Sequence, residues 1–260
     1  MTPVLRLEAV RYAYPGSRAM ALDGIDLELG AGRVLGIVGP NDAGKSTLCL
    51  VASGLAPRFV GGRLEGSVRL GGRETRDLAP HEAAQRCGLL FQNAETQLSG
   101  TVPTVFEEVA IGPRNLGLAV GEVLRRVDWA LGALGIAVLA GRDPSRLSGG
   151  QAQLVALASV LALEPAVLAL DEPTSELDPE GTRLVADALA RLSRERGTAI
   201  LVAEHKTGLL RGLADEVVLL DAGRVVIAGP ASKVLADPAL PAHGVAPPPA
   251  VERLLPVAAG

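Results

Sequence analysis

Apolar and polar residues alternate along the chain up to about position 30. The apolar positions of this segment are Val4, Leu5, Leu7, Val10, Ile25, Leu27 and Leu29. A spacing of two is typical of a strand with one buried face, and the Tyr-Pro-Gly sequence at 14–16 is a turn signal between the two halves. The segment therefore predicts a strand, a turn and a second strand.

A continuous apolar run, Val34 to Val38, follows and ends in a glycine-rich loop. The pattern of the next residues, from Lys45 to Ser53, predicts a helix. A strand, a glycine-rich loop and a helix in this order form the first unit of a parallel α/β sheet. We also expect an edge strand at Ser67 to Leu70 and a buried strand from Cys87 to Phe91.

Between Asn93 and Pro165 the apolar residues recur at helical spacing, and strand-like alternation is missing. Helical patterns cover Val105 to Ile111, Val120 to Leu134 and Gln151 to Leu163. After them come strand-like runs at Val167 to Leu170, Ala199 to Ala203 and Val217 to Asp221, with a helix near Gly181 to Arg196. The sequence thus predicts an α/β fold whose parallel sheet is interrupted by a helical insertion.

These patterns also divide the chain. We expect the sheet core and the β subdomain in residues 1–92 and 166–235, and the helical subdomain in residues 93–165. The remaining segment, 236–260, is rich in Pro and Ala. It is predicted to be a loose terminus or a short helix after a linker.

Composition tests whether the chain enters a membrane. The 260 residues are 48% apolar with a mean hydropathy of +0.30. The most apolar stretch of the second half, Leu154 to Leu163, is about half as long as a bilayer core requires. The first residues show no basic stretch followed by an apolar core, so no secretory signal is predicted. We therefore expect no transmembrane helix.

Charge and cysteine content exclude further classes. The net charge is −4 and the isoelectric point about 5.5, the opposite of the basic surface that binds phosphate backbones, so we expect no nucleic acid partner. Cys49 and Cys87 lie in apolar contexts and cannot complete a tetrahedral metal site by themselves. They are predicted to be buried thiols of a protein in a reducing, cytoplasmic compartment.

The loop after the third predicted strand carries the first candidate site. Its residues are Gly39, Pro40, Asn41, Asp42, Ala43, Gly44, Lys45, Ser46 and Thr47. Two glycines separated by four residues and followed by Lys and a hydroxyl form the phosphate-binding loop pattern. The glycines let backbone N–H groups curve around an anion, Lys45 reaches the terminal phosphates, and Ser46 offers a hydroxyl to magnesium.

The alternative is a glycine-rich turn with a surface lysine. The position between a buried strand and a helix, and the use of one of only three lysines in the chain, favour the phosphate loop. Asp42 departs from the usual small neutral residue. A carboxylate close to a triphosphate weakens binding unless it points to solvent, although Asp tolerates a left-handed backbone.

Two carboxylates follow the apolar run at 167–170. Asp171 and Glu172 would stand at the carboxyl end of a parallel strand, where ligands of such sheets bind. Asp171 is a candidate magnesium ligand, and Glu172 a candidate general base that polarises an attacking water. A solvated acidic pair is the alternative, and the phosphate loop favours the functional interpretation.

A third candidate comprises Ser148, Gly149, Gly150 and Gln151 at the start of an apolar helix. A serine and two glycines at a helix start offer a second site for an anion. A simple helix cap uses the same residues, so the residues alone leave both interpretations open.

The three motifs in this order resemble the nucleotide-binding subunit of ATP-binding cassette transporters over about residues 3–235. The resemblance implies a P-loop NTPase with a RecA-like parallel sheet core, an antiparallel β subdomain and an inserted helical subdomain. It implies ATP and Mg²⁺ as ligands, a second such subunit stacked head to tail, and integral membrane subunits. The location implied is the cytoplasmic face of the membrane.

The resemblance also assigns individual residues. Tyr14 resembles the aromatic residue that stacks on adenine, although a tyrosine of a hairpin turn is the alternative. Gln92 resembles the glutamine that senses magnesium and water, and His205 the switch histidine at the γ-phosphate. Asp178 lies in the loop that crosses the dimer interface. The implied catalytic residues are Glu172, His205, Gln92 and Lys45, and the implied metal ligands are Ser46, Gln92 and Asp171.

Within this superfamily, residues 91–97 and 107–117 are similar to the ATPases of energy-coupling factor transporters, which import vitamins and cobalt or nickel ions. Ala94 and Glu204 depart from that pattern. The leading hypothesis is an ATPase that energises such uptake as a homodimer or heterodimer. The alternatives are a nucleotide-gated clamp outside transport and a catalytically silent partner subunit.

Overall fold

The computed structural model describes residues 3–248, and two β-sheets organise them. The strands are β1 (Leu5–Ala13), β2 (Leu22–Leu29), β3 (Val34–Val38), β4 (Arg63–Leu70), β5 (Arg73–Glu74), β6 (Cys87–Leu90), β7 (Val167–Asp171), β8 (Ala199–Ala203), β9 (Glu216–Asp221) and β10 (Arg224–Pro230). The helices are α1 (Lys45–Ala52), α2 (Pro80–Arg86), α3 (Val105–Asn115), α4 (Val120–Ala133), α5 (Gly149–Leu161), α6 (Pro179–Arg196), α7 (Thr207–Leu213) and α8 (Ala231–Val234).

The smaller sheet is antiparallel and has the strand order β2-β1-β4-β5. β1 pairs with β2 across the predicted turn, so the expected strand, turn and strand are confirmed. The prediction of an edge strand at 67–70 is wrong. β4 includes these residues and lies between β1 and the short strand β5. The reason is that β5 follows after the glycine pair 71–72 and closes a hairpin that the sequence pattern did not reveal.

The larger sheet has the strand order β10-β9-β3-β8-β7-β6. All of its neighbouring strands are parallel except β9 and β10, which pair antiparallel. β7 and β8 are adjacent, with Asp171 opposite Ala203. The sequence expectation that His205 follows a strand beside Asp171 is therefore confirmed. The carboxyl ends of β3, β7 and β8 lie side by side and position the candidate site.

The segment 93–165 is helical, as predicted, and contains α3, α4 and α5. α5 is buried over most of its length because it is apolar on nearly every face, whereas α4 buries only one face. The buried side chains of α5 belong to the same hydrophobic core as residues of the larger sheet, among them Leu170 and Val202. The helical insertion is thus joined to the sheet by a continuous apolar core.

The chain after α8 packs back onto the larger sheet. Residues Leu240–His243 form a 3₁₀ turn, and the side chains of Leu240 and Val245 are buried in the core. Thr207 Oγ1 donates a hydrogen bond of 2.9 Å to the carbonyl of Ala246. Of the two sequence alternatives, residues 240–243 therefore follow the short helical one, while residues 245–248 have no regular secondary structure. Residues 249–260 lie outside the described part of the chain.

Within residues 3–248, no helix combines the length and the apolar content that a membrane crossing needs, in agreement with the sequence expectation. Cys49 and Cys87 are buried free thiols, as predicted.

Candidate functional site

Two glycines give the phosphate loop its shape. A Cβ atom on Gly39 would lie 2.1 Å from the carbonyl oxygen of Leu220, and one on Gly44 would lie 2.6 Å from the carbonyl oxygen of Ala21. Gly44 also has a φ of +103°, which side chains disfavour. The loop therefore packs against neighbouring backbone too closely for any other residue. Immediately after Gly44 the chain enters α1, whose N-terminus carries positive partial charge.

Lys45 is buried, with 6% of its surface exposed, and its side chain lies over the phosphate loop. Its ammonium group donates to the carbonyl oxygens of Gly39 and Pro40 at 3.0 and 2.8 Å. Burial lowers the pKa of Lys45, and the carboxylates of Glu172, Asp171 and Asp42 oppose this effect. A cation held in this way is placed for an anionic phosphate group.

Ser46 and Asp171 are joined at the end of β7. The Ser46 hydroxyl lies beside the Asp171 carboxylate, whose pKa is raised by burial and lowered in part by interaction with this hydroxyl. Asp171 Oδ1 is buried and has no hydrogen-bond partner. An unsatisfied carboxylate oxygen beside a hydroxyl matches the oxygen ligands that Mg²⁺ prefers. The donor set therefore fits the predicted metal.

Glu172 lies between two of the other predicted catalytic residues, Gln92 and His205. Its Oε2 accepts a hydrogen bond of 3.1 Å from Gln92 Nε2, and its Oε1 lies 3.0 Å from His205 Nε2. The backbone of Glu172 has a φ of +49°, an unusual value for a residue with a side chain. Strain of this kind at a carboxylate between two polar groups is typical of a functional position.

With the exception of the buried Asp171, these polar side chains line one open cleft of about 610 Å³. The predicted residues that line it are Tyr14, Asn41, Asp42, Gly44, Lys45, Ser46, Thr47, Gln92, Glu172 and His205. Tyr14 is 36% exposed at its rim, and its hydroxyl shares a hydrogen bond of 3.0 Å with the Thr47 hydroxyl. Asp42 is exposed with a φ of +60°, the left-handed backbone that the sequence analysis allowed for.

The predicted residues of the second anion site do not line this cleft. Ser148 is exposed and caps α5, where its hydroxyl accepts a hydrogen bond of 3.4 Å from Gln151 N. Gln151 Oε1 in turn accepts from Ser148 N at 3.2 Å. Asp178 caps α6 by accepting from Gly181 N at 2.7 Å. Gly149 and Gly150 form the first turn of α5, so the structure keeps the capping interpretation and leaves the helix start facing outward.

Sequence reasoning missed several polar residues behind the site. Glu204 accepts a hydrogen bond of 2.6 Å from the Thr174 hydroxyl, and Lys206 Nζ donates to the Thr174 carbonyl at 2.6 Å. The Gln97 side chain pairs with the backbone of β6, accepting from Phe91 N and donating to Leu89 O at 3.0 Å each. The available signals were the departure at Glu204 and the rarity of lysine.

The sequence profile described as ABC transporter matches residues 22–175, a range that includes the phosphate loop, the capping serine of α5 and Glu172. The chain belongs to the ABC transporter family. It is accordingly an ABC transporter ATPase that binds ATP. The predicted fold, an α/β P-loop core with an antiparallel β subdomain and a helical insertion, is confirmed.

Named relatives match nearly the whole chain. The cobalt import ATP-binding protein CbiO of Rhodobacter capsulatus is 44% identical over 96% of this chain and 87% of its own length. The nickel import ATP-binding protein NikO of the same organism is 43% identical over 92% of this chain and 94% of its own length. The narrower resemblance to energy-coupling factor ATPases is therefore confirmed at the level of sequence family.

Two solved structures share the fold of this chain. CbiO1 from Clostridium perfringens, described as part of the ABC transporter complex CbiONQ, has a TM-score of 0.78 and 32% identity, covering 91% of this chain and 92% of its own. A dimeric ATP-binding cassette bound to ADP and phosphate has a TM-score of 0.77 and 26% identity, covering 87% of this chain and 98% of its own.

Proposed function

We propose that this ATPase energises the uptake of a divalent transition-metal ion, cobalt or nickel, through separate membrane proteins at the cytoplasmic face. The names of the two Rhodobacter relatives support the cargo, and the complex described for the clostridial structure supports the membrane subunits. The observation that carries ATP hydrolysis itself is Glu172 held between Gln92 and His205 at the edge of the phosphate cleft.

The chain's own groups would bind and orient the nucleotide. The backbone of loop 39–47 and the N-terminus of α1 would surround the β- and γ-phosphates, with Lys45 exchanging its two carbonyl partners for phosphate oxygens. Ser46, Asp171 and Gln92 would hold Mg²⁺, which when bound neutralises charge on the phosphate oxygens. The ring of Tyr14 at the cleft rim would stack on the base.

Glu172 would act as general base. It takes a proton from a water molecule whose oxygen forms the new bond to the γ-phosphorus, while the bond from this phosphorus to the β,γ-bridging oxygen breaks and the electron pair stays on ADP. The products are ADP and inorganic phosphate. His205, 3.0 Å from Glu172, would orient the carboxylate and face the γ-phosphate.

Both oxygens of Glu172 already have partners in the isolated chain. Each carboxylate oxygen can accept a second hydrogen bond, so a water in line with the γ-phosphorus could donate to Glu172 without displacing either partner.

Closure of the cleft would come from a second ATPase subunit stacked head to tail. The outward-facing helix start at Ser148 would cover the nucleotide that Lys45 of the other subunit binds, and Asp178 would lie at the junction.

The complete set of Lys45, Glu172 and His205 supports an active subunit over a silent one. The acidic net charge supports transport over a clamp on nucleic acid.

The test is to purify the chain with the membrane proteins that accompany it from native membranes and to reconstitute the complex in vesicles. We expect Mg²⁺-dependent ATP hydrolysis coupled to uptake of Co²⁺ or Ni²⁺, and neither in the Glu172→Gln complex. Hydrolysis without metal-ion uptake would reject the cargo. A complete lack of hydrolysis by the wild-type complex would reject the enzymatic function.

A further inference from the structure

The two neighbours of His205 both reach into the turn that follows Glu172. Glu204 is 1% exposed, and its Oε1 accepts hydrogen bonds from the Thr174 hydroxyl at 2.6 Å and from the Thr174 N–H at 3.2 Å. Lys206 Nζ donates to the Thr174 carbonyl at 2.6 Å. Thr174 itself is fully buried. Side chains from both sides of the histidine therefore meet on one residue of the facing turn.

A buried carboxylate at this position is costly unless its partners replace water. Burial raises the pKa of Glu204, and its hydrogen bonds from Thr174 and from the Lys206 N–H oppose this effect. Charge-assisted bonds in such surroundings are short and directional. The carboxylate thus holds its donors in one arrangement.

Glu204 also forms hydrogen bonds that involve the backbone on either side of His205. Glu204 Oε2 accepts from Lys206 N at 3.3 Å, and Glu204 N donates to the Ile37 carbonyl on β3 at 3.0 Å. Thr207 N donates to the His205 carbonyl at 3.1 Å. The backbone before His205 is therefore bonded to the sheet, and the backbone after it is bonded to the Glu204 carboxylate and to the His205 carbonyl.

Lys206 extends the contact toward the next functional loop. Its ammonium group also donates to the Leu177 carbonyl at 3.2 Å, directly before Asp178 caps α6. One lysine thereby joins two carbonyls of a turn that begins at Glu172.

We propose that Glu204 and Lys206 are positioning residues for ATP hydrolysis, which clasp the turn 174–177 and so hold His205 at the oxygen of Glu172. The proposal rests on the proposed function, since its effect falls on the hydrolytic step. Neither residue is among those that line the cleft, so nucleotide binding is expected to be separate from the clasp.

The first experiment compares Glu204→Ala with Glu195→Ala, an exposed glutamate on α6. We expect kcat of the Glu204 variant to fall about tenfold or more through misplacement of His205, with the Kd for ATP unchanged within about twofold. Glu195→Ala should leave both values unchanged. Equal kcat in the two variants, or a parallel loss of kcat, ATP affinity and melting temperature, would overturn the proposal.

Partial variants keep the test informative if Glu204→Ala fails to fold. Glu204→Gln retains an oxygen for Thr174 but turns an amide donor toward the Lys206 N–H, so it should restore only part of kcat. Thr174→Val removes the hydroxyl alone. In the double variant Glu204→Gln/Thr174→Val, the two losses of kcat should not add, because both substitutions break the same contact. Full additivity would contradict the clasp.

A measurement independent of turnover uses the three histidines of the chain. In full-length protein, the imidazole signal assigned by His205→Asn should shift in the NMR spectrum of Glu204→Gln, while that of His81 stays in place. An unmoved His205 signal would overturn the proposal even if hydrolysis is intact. A shifted signal without any wild-type hydrolysis would leave the clasp in place and count against the proposed function.

Discussion

The two proposed anion-binding regions of this chain differ in burial and in completeness. In the phosphate loop, Lys45 and Thr47 are each 6% exposed, and the buried carboxylate of Asp171 stands behind them. At the start of α5, Ser148 is exposed, and its hydroxyl is already used to cap its own helix. The phosphate loop is thus a largely buried site, whereas the start of α5 lies on the surface. This difference is what the proposed head-to-tail pairing requires, in which a single chain would supply one half of each closed nucleotide site.

The cause lies in how the two loops are supported. Gly39 and Gly44 approach the backbones of Leu220 and Ala21, so the phosphate loop is fixed by neighbouring elements. The start of α5 is fixed mainly by its own capping box between Ser148 and Gln151. The four predictions that follow test whether the interior region controls binding and chemistry while the outer region controls only closure.

The largest effect is expected from Glu172→Gln. The amide keeps the shape of the side chain but cannot take up a proton, so kcat should fall by about 10²–10⁴ while ATP affinity is retained. Single-turnover hydrolysis and equilibrium nucleotide titration measure the two quantities. The matched control is Glu180→Gln in the exposed first turn of α6. Unchanged turnover in Glu172→Gln would refute its role as base.

Lys45→Ala should damage binding itself. Removal of a buried cation from a phosphate site costs at least about 2 kcal/mol, or roughly 30-fold in Kd. Isothermal titration with ATP measures the loss, and Lys233→Ala at an exposed lysine is the control. Equal affinities for the two variants would place the phosphates elsewhere.

Ser148→Arg should separate closure from binding. The isolated chain should bind ATP as tightly as the wild type, whereas hydrolysis should fall at least about tenfold because the bulky cation blocks the partner's nucleotide.

Mixing Ser148→Arg with Lys45→Ala sharpens this test. In a head-to-tail homodimer, a mixed pair has one site with both changes and one intact site. With independent sites, an equimolar mixture should therefore recover about a quarter of the wild-type rate. A mixture as inactive as its components would contradict the shared site.

The smallest effect is expected at the cleft rim. Tyr14→Ala removes a stacking surface worth about 1–3 kcal/mol for a base, which lowers ATP affinity at least about fivefold. Tyr14→Phe loses only the hydrogen bond to Thr47, and affinity should change by about 1 kcal/mol or less. Comparison of ATP with inorganic triphosphate measures the contribution of the base. Equal losses for both ligands would refute stacking.

The sequence predicted the interior region well because each of its parts has a local signature. The apolar runs that form β3 and β7 end directly at the phosphate loop and at Asp171. The same short stretches of sequence therefore mark both the strands and the candidate chemical groups. The meeting of Glu172 with Gln92 required the family resemblance, since they are distant in the chain.

Other features could not be predicted, because they depend on contacts across the fold. Glu204 was only a departure from a pattern until the structure placed Thr174 beside it. The docking of residues 240–248 depends on a buried Leu240 in a stretch whose composition resembles a linker. In both cases a single side chain finds its partner through tertiary packing, for which local spacing gives no signal.

The burial of both thiols has a practical consequence for spectroscopy. Burial raises the pKa of Cys49 well above its usual value and that of Cys87 to about 12. Both thiols therefore stay protonated and are shielded from reagents in the folded protein. Maleimide labels would react selectively with cysteines introduced at Val138, which is 87% exposed in the helical insertion, and at Val226, which is 46% exposed on β10. The distance between helical insertion and sheet can thus be followed through the ATPase cycle without removing a native residue.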